Sequence, residues 1–179
     1  MVELENIQKR YQYTDALRGI NISVEEGDFI GLIGPNGSGK TTLLKILFGY
    51  TKPDRGSVTI RGLKPSDKTR AFCSYYPELD SLYKWMRVEE IIRWYSGFFD
   101  DWNQDKEKEL KGLLNIPASN YIHQLSLGYR TRLKLLLALS RDAEVFLLDE
   151  PLSGIDPATR SLIISAILKS YRENQTFIL

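Results

Sequence analysis

Cysteine is nearly absent. Cys73 is the single one in 179 residues, so no disulfide can form within the chain, in keeping with a reducing compartment. Its simplest reading is a small buried residue on a strand. Histidine is as scarce, with His123 alone. No apolar run approaches the length of a membrane span. A net charge is also missing. Lys and Arg number 24 against 23 Asp and Glu, and this balance of +1 argues for neither nucleic acid nor an acidic partner. The first residues, Met1-Val2-Glu3-Leu4-Glu5, are acidic and unlike a signal peptide. The Asn-x-Ser/Thr triplets at Asn21 and Asn174 read as chance matches. What remains is an ordinary globular composition, 42% hydrophobic and 26% charged, long enough for one core and a small satellite lobe.

The chain is organised around Gly34-Pro35-Asn36-Gly37-Ser38-Gly39-Lys40-Thr41-Thr42. A glycine, four residues and then Gly-Lys-Thr form the phosphate-binding loop pattern. Glycines let the backbone approach a ligand and aim successive N–H groups inward as an anion nest. Lys40 can reach β- and γ-phosphates, and the Thr41 hydroxyl can ligate Mg²⁺. Phe29 to Ile33 before the loop reads as a buried strand. Thr42 to Phe48 after it reads as a helix whose N-terminus adds its dipole to phosphate binding.

In chain order, Val2, Leu4 and Ile7 alternate with polar residues as in a half-buried strand, and Ile20 to Val24 suggests another. Glu26-Gly27-Asp28 is a turn. Gly49 is a helix stop, Pro53 to Gly56 a turn, and Ser57 to Gly62 and Ala71 to Tyr76 are strands. From about Leu79 to Leu139 the character changes. Val88 to Tyr95 and Lys106 to Leu114 have helical spacing, and Trp85, Trp94 and Trp102 all fall here. This predicts a helical lobe inserted between two core strands. Its Tyr83-Lys84-Trp85-Met86 stretch reads equally as a docking surface or as the lobe's own core.

Val145-Phe146-Leu147-Leu148 suits a central parallel strand buried on both faces, and it ends in Asp149-Glu150. Ligands of open α/β sheets bind at that strand edge. In phosphate-loop ATPases a carboxylate there holds Mg²⁺, the role expected of Asp149, and Glu150 is placed to polarise an attacking water.

Together these residues resemble the nucleotide-binding subunit of an ATP-binding cassette (ABC) transporter, along essentially the whole chain. Leu125-Ser126-Leu127-Gly128-Tyr129 stands at the family's signature, and Pro151-Leu152-Ser153-Gly154-Ile155-Asp156 at the segment after its catalytic Glu. The resemblance implies a phosphate-loop α/β core with a mainly parallel sheet, an N-terminal antiparallel β part and an inserted helical subdomain. It implies one cassette, with 1–78 and 141–179 as ATPase core and 79–140 as helical subdomain.

ATP and Mg²⁺ are the implied ligands. Tyr11 would stack on adenine, with Tyr13 its rival. Gly34, Asn36, Gly37, Ser38, Gly39, Lys40, Thr41 and Thr42 would bind ATP. Thr41, Asp149 and Glu78 would serve Mg²⁺, and Glu150 would be catalytic. Two subunits, identical or different, would pair head to tail. Ser126, the Gly128 N–H and the helix Arg130 to Ser140 would then complete the γ-phosphate cage in trans. Closure on ATP would drive a transmembrane permease from the inner, cytoplasmic face of the cell membrane, with no nucleic acid involved.

Several positions depart from the family pattern. Leu127 and Tyr129 replace a Gly and a Gln of the signature, while Ser126 and Gly128 remain. Glu78 stands at the lid glutamine. Pro77-Glu78 followed by Leu82-Tyr83-Lys84-Trp85-Met86 resembles bacterial exporter subunits. Leu152 stands where a small residue is common. The switch histidine would lie just past Leu179, and His123 cannot substitute for it. The expectation is a truncated cassette that binds nucleotide, with hydrolysis depending on what would follow. A soluble ABC ATPase acting on ribosomes or DNA and a binding-only module are the rival classes. A phosphate-loop kinase would leave Ser126-Leu127-Gly128 and Ser153 to Asp156 without a role.

Overall fold

The computed structural model describes residues 1–78 and 81–179. Leu79 and Asp80, where the helical part was expected to begin, lie outside the described residues. The chain divides into two compact units, one of Met1–Tyr75, Glu144–Asp149 and Glu173–Leu179, the other of Tyr76–Ala143 and Glu150–Arg172.

The first unit holds two sheets. β1 (Val2–Tyr11) pairs antiparallel with both β2 (Thr14–Val24) and β4 (Arg55–Ile60), giving the order β2-β1-β4. Val2, Leu4 and Ile7 are all buried although Ile7 breaks the every-second-residue rule. The register shifts between Leu4 and Ile7, where Asn6 takes a φ of 49°. That bulge turns Ile7 inward and leaves the Asn6 N–H to the Asn21 side chain, 2.8 Å away.

The second sheet has the order β3-β7-β6-β5, from β3 (Phe29–Ile30), β5 (Cys73–Tyr76), β6 (Val145–Leu148) and β7 (Thr176–Ile178). β7 pairs in parallel with both β3 and β6. β6 is fully buried along its length, as an apolar run in a central strand requires. β3 is shorter than its sequence predicts and is not the buried strand expected over Phe29 to Ile33: Phe29 and Ile33 are exposed, although the Leu32 N–H still donates to the Leu179 carbonyl. Cys73 is buried on β5, as expected.

α1 (Lys40–Phe48) packs on β2, β4 and β6, and so touches both sheets. Leu43, Leu44, Ile46 and Leu47 join Val2, Leu4, Ile60, Val145 and Leu147 in one core. Gly49 ends α1 in the left-handed region, its N–H donating back to the last turn. A short helix, α2 (Asp67–Arg70), precedes β5.

The second unit is helical: α3 (Val88–Phe98), α4 (Gln104–Leu113), α5 (Leu127–Leu139) and α6 (Pro157–Ser170). α4, α5 and α6 pack on one another, and α3 packs on α5. Three of these starts have a side-chain cap. Asn103 caps α4 by accepting from the Asp105 and Lys106 amides, Ser126 caps α5, and Asp156 caps α6 with Pro157 following. Arg141, 3% exposed, pairs with Asp101 at 2.9 Å and lies over the Phe99 ring. Of the Tyr83–Met86 stretch, Met86 is buried whereas Tyr83 and Trp85 stay exposed. Among the described residues no helix is long and apolar enough to cross a membrane.

Candidate functional site

Gly34 to Ser38 form an exposed loop, and Gly39, at a φ of 100°, turns it into α1 with no side chain capping the first amides. The first amides of a helix lack partners within it, which suits a helix start to an anion; within the loop the Ser38 N–H donates to the Pro35 carbonyl at 3.1 Å. A Cβ at Gly39 would overlap the Ala16 carbonyl oxygen and come within 2.8 Å of Leu17 Cδ2. Gly37, at a φ of 82°, faces open space. Lys40 curls back over the loop, donating from Nζ to the Gly34 carbonyl at 2.7 Å and the Pro35 carbonyl at 3.2 Å. Asn36 and Ser38 are exposed in the loop, and Thr42 is half-buried in the first turn of α1.

Two residues far apart in sequence meet below the loop. The Thr41 hydroxyl donates to Asp149 Oδ1 at 2.9 Å, and the Tyr75 hydroxyl donates to Asp149 Oδ2 at 3.1 Å. Asp149 is 1% exposed at the end of β6. A buried carboxylate and a hydroxyl side by side form the small, hard oxygen set that suits Mg²⁺, an ion that takes one or two carboxylates and fills its octahedron with water and phosphate. Among the described residues no group of three or more His, Cys, Asp or Glu could hold a metal. Tyr75 was missed from the sequence, where it is one more strand residue.

Glu150 begins the helical unit's second segment at a φ of 52°, a left-handed conformation unusual for a residue with a side chain. Its carbonyl accepts from the Ser153 amide, closing a turn. Tyr11 ends β1 half-exposed with the Lys9 ammonium 5.5 Å from its ring, and Tyr13 stands almost wholly in solvent. His123 is exposed, its Nδ1 3.1 Å from the Lys84 carbonyl.

In the helical unit, Ser126 accepts the Tyr129 amide at 3.3 Å, which fixes the start of α5. Helix begins at Leu127, three residues earlier than the sequence predicts, so Gly128 lies in the first turn with its N–H among the helix's orphan donors. Leu127 is exposed. Arg132, not singled out from sequence, donates to Thr159 Oγ1 at 2.7 Å, joining α5 to the start of α6. Hydrogen bonds from Thr159 hold the Asp156 carboxyl below the usual range. The segment Ser153 to Asp156 is therefore tied to the signature helix. Glu78 is exposed just after β5.

A family model described as ABC transporter matches residues 17–153. An uncharacterized ABC transporter ATP-binding protein of Synechocystis is 33% identical over 98% of this chain and 54% of its own length. The Nod factor export ATP-binding protein I of Cupriavidus pinatubonensis is 31% identical over 100% of this chain and 58% of its own. A "probable multidrug ABC transporter ATP-binding protein" of Escherichia coli K12 is 32% identical over 89% and 29%. The chain thus spans from under a third to under two thirds of the length of these curated relatives. Among solved structures, the ATP-binding subunit of an ABC transporter superposes with a TM-score of 0.82 at 23% identity, covering 99% of this chain and 78% of that one. An ATP-binding cassette solved as a dimer in a post-hydrolysis state with ADP and Pi gives 0.85 at 24%, covering 99% and 86%. At those identities the likeness is one of fold.

Proposed function

Since the chain belongs to the ABC transporter family as an ATP-binding subunit, we propose that the protein binds and hydrolyses ATP to energise export by a transmembrane permease. The observation that carries this is Thr41 Oγ1 on Asp149 Oδ1 at 2.9 Å, directly beneath a glycine loop that opens into a helix N-terminus. Gly34, Asn36, Gly37, Ser38, Gly39 and Thr42 bind the phosphates through loop and helix-start groups, and Lys40 exchanges its loop carbonyls for phosphate oxygens. Tyr11 stacks on adenine. Thr41, Asp149 and Glu78 would hold Mg²⁺. When bound, Mg²⁺ neutralises charge on the transferred phosphate.

Glu150 acts as the base that orients water. The burial of Asp149 and the left-handed backbone of Glu150, a conformation unusual for a residue with a side chain, support this reading. Ser126 and the Gly128 N–H serve the ATP of a second, head-to-tail subunit, where preorganised donors stabilise charge as it develops. Because ATP is shared by both faces, it favours the closed pair, and hydrolysis releases it. One relative is named for Nod factor export and another as a probable multidrug ABC transporter protein, which favours an exporter held at the inner face of the membrane by its permease.

The test is Mg-ATP binding and phosphate release side by side. Lys40→Ala is expected to weaken binding about tenfold or more, from the loss of charged hydrogen bonds. Glu150→Gln should leave binding intact and stop turnover. Binding indifferent to Lys40 would overturn the reading.

A further inference from the structure

Lys134 is a lysine in the wrong place for a solvated cation. It lies on α5 among Leu133, Leu135 and Leu136, all fully buried, and is itself 8% exposed. A buried ammonium is costly unless strong acceptors surround it. Its Nζ donates to the Pro77 carbonyl at 2.8 Å and to the Glu78 carbonyl at 3.0 Å, and stands 4.6 Å from the Tyr76 ring centroid. Three consecutive residues at the exit of β5 are thus held by one charge. The ladder ends at Tyr76, so the next two carbonyls need donors from elsewhere. A neutral donor would satisfy them at lower cost, which makes the choice of a cation informative.

Resting on the function proposed above, we infer that Lys134 is a positioning residue that locks the Glu78 backbone to the signature helix. Ser126 caps the same helix about two turns, or roughly 12 Å, from Lys134. One unbroken helix, Leu127–Leu139, joins the two positions, and its turn-by-turn hydrogen bonds make the span between Ser126 and Lys134 stiff. Ser126 at one end and Glu78 at the clamp therefore move as one body. Engagement of the signature by a second subunit's nucleotide is then felt at Glu78 through the clamp, with the Glu78 side chain left exposed for Mg²⁺ and water.

Lys134→Met keeps the stem and most of the volume and removes the ammonium. Three readouts test it on the 179-residue chain: amide exchange at Tyr76 and Glu78 without nucleotide, ATP affinity in EDTA, and ATP affinity in Mg²⁺. The expected result is faster exchange at 76 and 78, unchanged affinity in EDTA, and about a tenfold loss of the gain that Mg²⁺ confers, the scale of a charged hydrogen bond. Glu78→Ala should lose the same gain, and the double variant should lose no more than the worse single one. A purely structural lysine would lower both affinities together, and losses that add across the cycle would show that Lys134 does not act through Glu78. Either result overturns the inference. Lys134→Gln, which can still donate to one carbonyl, serves if the methionine variant folds poorly, and should show a smaller loss of the same kind. Failure of the function itself is distinguishable, because the unsubstituted chain would then show no Lys40-dependent ATP binding.

Discussion

Replacing Gly39 by alanine should destabilise the nucleotide-free protein far more than replacing Gly37. Both glycines sit in the phosphate loop with positive φ, 100° and 82°. The left-handed penalty for a Cβ, about 1–2 kcal/mol, therefore applies to both. Alanine also restricts the unfolded chain, which returns about 0.4–1 kcal/mol in each case. Surroundings separate them. At Gly37 a Cβ meets nothing within 4 Å, whereas at Gly39 it overlaps the Ala16 carbonyl oxygen and crowds Leu17 on β2. Backbone must move to make room, at about 1–3 kcal/mol, the range for overpacking. The net expectation is about 1 kcal/mol for Gly37→Ala and about 3 kcal/mol for Gly39→Ala. In a chain of this size each kcal/mol lowers Tm by about 2–4 °C, so the two variants should melt about 4–8 °C apart. Thermal unfolding followed by circular dichroism, without nucleotide, reads this directly. Equal losses, or a larger loss at Gly37, would refute the assignment of Gly39 as the residue that must let β2 pass close to the loop.

Thr41→Val removes one hydroxyl that donates to the buried Asp149 carboxylate; it should cost about 1.5–3 kcal/mol without nucleotide, by chemical denaturation, and abolish the Mg²⁺-dependent part of ATP affinity. Asp101→Ala removes the carboxylate that pairs with the buried Arg141 guanidinium and should cost about 1.5–3 kcal/mol, the scale of hydrogen bonds to a charged group, measured the same way. Burial raises the Asp142 carboxyl, but hydrogen bonds from Lys106 and Asn103 outweigh it and hold the group below the ordinary carboxylate range. A depressed folded-state pKa contributes stability above the unfolded value, about pH 4, that disappears as pH falls through the folded value. Asp142→Asn should therefore flatten part of the acid limb of a stability–pH curve and leave its slope above pH 6 unchanged.

Where one local signal sufficed, the sequence was readable. The four apolar residues of β6 and the Gly49 helix stop lie where pattern and turn chemistry place them. Elements failed to show where a distant partner decides. Ile7 points inward only because Asn6 bulges, and that bulge is anchored by Asn21 on the neighbouring strand. α6 has a visible start, Asp156-Pro157, yet its spacing is weakly amphipathic and did not stand out. At the candidate site, the phosphate loop and Asp149 were legible because a motif prescribes them. Tyr75, Arg132 and Lys134 were not, since a tyrosine on a strand and basic residues on a helix carry no sign of the carboxylate, threonine or carbonyls that they meet.

The order β3-β7-β6-β5 has a consequence for synthesis on the ribosome. The strand that delivers the phosphate loop finds its ladder partner in β7, and the Gly27 amide that precedes β3 bonds Thr176 across 149 positions. Phe29 likewise stacks on Phe177. The loop's scaffold therefore waits for residues made near the end of this stretch, while the β1–β2 hairpin can form from the first two dozen. Long-range closures of this kind are slow and leave apolar edges exposed meanwhile. A nascent chain would carry its nucleotide loop without this ladder partner until Thr176–Ile178 had emerged.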